Sequence, residues 1–138
     1  MWWIYALLSA FFAALVAVFA KIGIKGVDSD LATGIRTIVI LFIAWGIVFA
    51  KGASRQVPGL TRQNWIFLVL SGCATGLSWL FYFRALQLGE VSKVAPIDKL
   101  SVALAIIISV IFLHEKLSWQ EATGALLILG GTFLLIFK

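Results

Sequence analysis

The chain has 138 residues, 62% of them hydrophobic and 12% charged, with a mean hydropathy of +1.08, a net charge of +5 and a pI near 9.7. Soluble domains carry about 25% charged residues, so this composition cannot coat a water-facing surface and selects a polytopic membrane protein. The basic balance does not indicate nucleic acid: the Lys and Arg residues stand at the ends of apolar runs, where they meet phospholipid headgroups and set topology.

Crossing a bilayer core takes roughly 20 mostly apolar residues. The first span is expected over residues 2–20, which hold no charge. AVFA before Lys21 loosely resembles a signal-cleavage site, but no basic residue precedes the run and the run is long for a signal core, so it reads as a span. Ala6, Ala10, Ala13, Ala17 and Ala20 recur at helical spacing, a small-residue face for close helix approach. Lys21 borders that face and is placed at the mouth of the bundle; the alternative is snorkelling to headgroups.

The second span is expected over 31–50, with Asp30 as its N-cap. Arg36 alone breaks it, flanked at helical spacing by Thr33 and Thr37. An arginine deep in a bilayer costs about 2.5–3.5 kcal/mol on insertion scales, so Arg36 should face protein or water and seek an anion. Two readings stand: a substrate-facing cation, or a structural partner of Asp98 or Glu90.

The third span, 65–83, carries Ser71, Thr75, Ser78 and Tyr82 as a polar stripe, bordered by Trp79. Such a stripe suits a wet cavity or hydrogen bonds between helices. Gly72 and Gly76 form a GxxxG packing motif beside it. Cys73 has no disulfide or metal partner and reads as a buried spare thiol.

The fourth span, 95–113, opens on Pro96 at the first helical position, which places Asp98 in the first turn, where the helix dipole favours a carboxylate. Asp98, Ser101, Ala105 and Ser109 share a face, while Lys99 is turned from it toward the mouth. His114 reads as a solvated loop residue. Ser118 and Glu121 form a capping-box pattern opening the fifth span, 119–137. That span carries Gly124, Gly130 and Gly131, and Gly124 and Gly131 are expected to pack, within the bundle or as a seam between chains.

Short connections make the five helices alternate, giving an all-α bundle. Trp2, Trp3, Trp65 and Trp119, with Trp45 nearby, fall on one side as an interfacial belt. Lys21, Lys25, Arg36, Arg84, Lys93, Asp98 and Lys99 fall on the other, with Asp28, Asp30 and Glu90. The first side also holds Lys51, Arg55, Arg62 and Lys116, and the second ends in Lys138, so neither side wins the positive-inside count. A weak bias permits insertion in both orientations; the alternative is that the loop of Lys51, Arg55 and Arg62 dominates. No nucleophile–base pair, metal-ligand cluster or phosphate loop is present, so neither an enzyme nor a metal or cofactor is expected.

Ala85-Leu86 with Gly89, then Pro96, Glu115-Lys116-Leu117-Ser118, and Gly124 through Gly131 resemble, in this order and spacing, the EamA domain of the drug/metabolite transporter superfamily. Phe19-Ala20-Lys21 and Ala32-Thr33-Gly34-Ile35-Arg36-Thr37 resemble its first two helices, so the match covers nearly the whole chain. Typical members look like two such five-helix domains in inverted orientation; this chain resembles the half-size bacterial and archaeal branch, with Asp98-Lys99-Leu100-Ser101. The resemblance implies one domain over residues 1–138, half of an inverted-repeat transporter of the cytoplasmic membrane. It would move small metabolites or drugs without ATP, paired with an antiparallel copy or an oppositely oriented half. Arg36, Thr75, Trp79, Tyr82, Asp98 and Ser101 would line its cavity, with Lys21 and Lys99 at the mouth. Related four-helix exporters of cations carry an acid in their first helix; its absence here leans the expectation toward anionic or zwitterionic substrates. An accessory membrane subunit and a passive channel are the competing functions.

Overall fold

Helix α1 (Trp2–Gly23) outruns its expected end at Ala20; Ile24 caps it, and Gly26, with a φ of 72°, turns the chain beyond it. Lys21 thereby falls in the last helical turn, where the dipole favours a cation. In this computed structural model, which describes residues 1–136, the regular elements are helical, and five stretches among the described residues are long and apolar enough to cross a membrane. The expected terminus of the last span at Phe137, and Lys138, lie outside the described residues.

Helix α2 (Ser29–Ala50) is capped by Asp28, not Asp30. A cap must be extended and must reach the free N–H groups of the first turn. Asp28 meets both conditions: its carboxylate accepts from the N–H of Asp30 at 2.9 Å and of Leu31 at 3.1 Å. Asp30 instead supplies negative charge to the first turn. After a short 3₁₀ segment (Ala53–Gly59), α3 (Arg62–Leu88) starts where Thr61 Oγ1 accepts from the N–H of Asn64 at 3.2 Å.

The fourth span departs most from expectation. It is broken into α4 (Val91–Asp98) and α5 (Leu100–Phe112). Pro96 does not open the helix; it sits inside α4, past the first turn, where the ring removes a donor and crowds the preceding carbonyl. Asp98 is therefore the last residue of α4 rather than a first-turn acid. The freed backbone groups find other partners: the Pro96 carbonyl accepts from Lys99 N at 3.0 Å and from Thr132 Oγ1 at 3.3 Å. Helix α6 (Trp119–Ile136) opens with the expected capping box, in which Ser118 N donates to Glu121 Oε2 at 2.8 Å and Glu121 N donates to Ser118 Oγ at 3.2 Å.

The helices divide into two compact units, Met1–Gln87 and the remainder from Leu88 onward. In the first, the buried residues gather at one end: Ala17, Ala20 and Ile24 of α1 and its turn, Ser29 and Thr33 of α2, Phe83 and Leu86 of α3. Two long-range hydrogen bonds close that end. Lys21 Nζ donates to the Leu86 carbonyl at 2.5 Å, and Gln87 Nε2 donates to the Val27 carbonyl at 2.8 Å. At the other end Trp2, Trp3, Trp45 and Trp65 are exposed. In the second unit the buried residues are Ala103 and Thr132, the latter tying α6 to the break between α4 and α5.

Candidate functional site

The closed end of the first unit places Arg36 against α3. Helical spacing puts Trp79 and Phe83 one turn apart on α3, and the Arg36 guanidinium lies over both rings, 4.0 Å from the Phe83 centroid and 6.0 Å from that of Trp79. Tyr82 joins the group through its ring, 5.5 Å from Phe83. A desolvated cation over an aromatic face gains roughly 2 kcal/mol. That offsets part of the cost of holding an arginine at membrane depth but supplies no hydrogen-bond acceptor. Arg36 Nη1 is accordingly buried with no hydrogen-bond partner among the described residues. A buried polar group left unmade costs about 1–3 kcal/mol, more for a charged one.

The threonines beside Arg36 do not help it. Thr33 Oγ1 donates to the Ser29 carbonyl and Thr37 Oγ1 to the Thr33 carbonyl, each at 2.8 Å, so both hydroxyls are consumed within α2. Glu90, one of the two expected acidic partners, pairs with Lys93 at 3.6 Å, and Asp98, the other, pairs with Lys99 at 3.5 Å. Both are neighbours on the same stretch of chain, and both pairs are open to their surroundings. Such pairs are held weakly and are easily exchanged.

Arg36 also lines a cleft of about 430 Å³ between α1 and α2. Phe19, Ala20 and Ile24 form one wall, Ala32 and Ile35 the other, and Arg36 is the only charged residue among those lining it. The small Ala20 and Ala32 keep the space open. Lys21 stands at the same level, but its ammonium is committed to the carboxyl-terminal end of α3.

Arg36, Trp79 and Tyr82 come together in the first unit, with Phe83, which the sequence reading did not single out although it lies one turn from Trp79 on the same face. Thr75 lies on an exposed part of α3 and donates to the Ser71 carbonyl at 2.9 Å. Asp98 and Ser101 lie on either side of the helix break in the second unit, Asp98 half-buried and Ser101 exposed. Lys99 is the residue at the break itself, exposed and paired with Asp98.

Cys73 is exposed on α3 rather than buried, since the first unit packs only near the far end of that helix. A Cβ added at Gly72, Gly76, Gly124 or Gly131 meets nothing within 4 Å, so these glycines make no close approach among the described residues. Among those residues there is also no cluster of His, Cys, Asp or Glu able to hold a metal.

The EamA-like transporter family matches residues 1–137. A Sinorhizobium protein described as an uncharacterized transporter in the cobO 3′ region is 51% identical over 134 residues, covering 97% of this chain and 95% of that protein. The uncharacterized transporter YxxF of Bacillus subtilis is 28% identical over 98% of this chain, which spans 42% of that protein. YvbV, another uncharacterized transporter of Bacillus subtilis, is 40% identical over 51% of this chain and 23% of its own length. No solved structure matches.

Proposed function

Since the chain belongs to the EamA-like transporter family, we propose that it is a secondary transporter that moves small metabolites or drugs across a bacterial or archaeal cytoplasmic membrane by alternating access. It acts as an antiparallel homodimer forming one functional domain pair. The observation that carries this reading is Arg36: a charge retained inside an apolar five-span chain, lining a cleft and with one nitrogen unpartnered. Intramembrane charges are costly and characteristically mark substrate pathways.

The antiparallel pairing rests on two features. Five spans put the two ends of the chain on opposite sides of the bilayer, and the basic residues are nearly balanced between the sides. An inverted pair places two copies of the same half around one site, as many transporters do within one chain. The expected result with paired carboxyl-terminal reporters, one active inside and one outside, is signal from both. Purified protein in liposomes should then show saturable flux and counterflow of a preloaded solute. Signal from one reporter only removes the homodimer, and flux without saturation or counterflow makes the chain a channel.

One observation favours a second reading, an accessory subunit. The glycine faces of α3 and α6 are open, and a neighbour of another kind can occupy them. Stable co-purification with a different membrane protein, and no flux from the chain alone, would support that role.

A further inference from the structure

The geometry points to the α1–α2 cleft as a binding site for a water-soluble organic monoanion, a carboxylate carrying an aromatic or branched aliphatic body, with Arg36 as the residue that holds its charge. This deepens the transporter reading by naming the substrate class. Three features specify the ligand. The site offers one positive group, so it neutralises one negative charge and leaves a dianion in surplus. Arg36 lines the cleft, and a carboxylate oxygen there supplies its guanidinium with an acceptor through a charge-assisted hydrogen bond. The other named walls, Phe19, Ala20, Ile24, Ala32 and Ile35, are apolar, so they reward a ligand body that leaves water and offer nothing to a sugar or polyol.

The volume agrees with a small ligand: about 430 Å³ lies inside the range of roughly 300–1,000 Å³ usual for such sites. The aromatic pair beneath Arg36 orients it. The Phe83 ring lies under the guanidinium, its centroid 4.0 Å from Cζ, and so restrains the group before any ligand arrives. A preorganised donor loses little on binding. A cation is disfavoured, because it would enter beside Arg36 with no acid among the residues lining the cleft.

An anionic phospholipid presents the same chemistry, a charged head on an apolar body, and the experiment separates the two. The full chain is purified in uncharged detergent and titrated calorimetrically with 3-phenylpropionate and with its neutral amide. The expected result is a preference of about tenfold or more for the carboxylate, the scale of one charge-assisted contact, which Arg36→Gln abolishes. Ala32→Leu, which keeps Arg36 but fills the cleft, should weaken phenylpropionate by about fivefold or more, and it serves if Arg36→Gln does not fold. Equal binding of acid and amide, or an unchanged affinity in Ala32→Leu, overturns the proposal. The titration is repeated with phosphatidylglycerol in the micelles. Phenylpropionate that displaces the lipid supports the soluble acid; phosphatidylglycerol that binds and resists displacement makes the cleft a lipid site and overturns it. A chain that binds the acid but shows no counterflow defeats the transporter reading alone, and one that exchanges a cation yet ignores the acid defeats this one alone.

Discussion

Single residues decide what this chain can do, because so few of them are polar. Arg36 and Asp98 were both legible as unusual in the sequence, since an ionisable residue in an apolar run is costly wherever it faces. Their partners were not. Phe83 looked like one apolar residue among many, and only the packing of α3 on α2 turns it into the surface under a guanidinium. Asp98 sits half-exposed at the end of α4, paired with the residue next to it, so neither fold nor dipole holds it there. Asp98→Asn should leave the melting temperature in detergent nearly unchanged, because an exposed pair contributes about 0–1 kcal/mol. The same variant should abolish uptake driven by a pH gradient in proteoliposomes. Undiminished pH-driven uptake removes Asp98 from the coupling mechanism.

At the scale of elements, the break between α4 and α5 is the feature most worth testing. Thr132 is buried and donates to the Pro96 carbonyl as well as to Ile128 of its own helix. A broken helix survives in a membrane only if its freed carbonyls find donors, and Thr132 supplies one from another helix. Thr132→Val keeps the shape and removes the hydroxyl. It should destabilise the protein by about 1 kcal/mol, read as a lower melting temperature, while Thr123→Val, whose hydroxyl only bonds back along α6, should change little. Equal effects would mean that the contact to Pro96 contributes nothing. The sequence showed all five spans, because apolar length survives any error in packing, and it showed the Ser118–Glu121 cap, which is local. It misplaced the start of the fourth span because Pro96 suits a first turn and a kink equally well. Only the pairing of Glu90-flanked Val91 onward into helix decides between them.

For the whole molecule, the open faces matter more than the covered ones. Gly72 and Gly76 present backbone on α3 with nothing against it, and Gly124 and Gly131 do so on α6. If two copies meet there, Gly76→Leu should lower the dimer fraction on size exclusion or cross-linking without lowering the helix content. An unchanged dimer places the seam elsewhere. The sequence suggested packing at these glycines but could not say against what, because a small residue records only that something comes close. The first unit is also unevenly fastened. Its buried side chains and both of its long-range hydrogen bonds lie at the Lys21, Leu86 and Gln87 end. A tilting motion of the first unit would pivot at that end, with the helices extending from it as levers. From Ala20 to Trp2, at 1.5 Å per residue, an arm is about 27 Å long. A tilt of about 10° at the pivot swings its tip by about 5 Å, a displacement wide enough to admit a small molecule while the fulcrum hardly stirs.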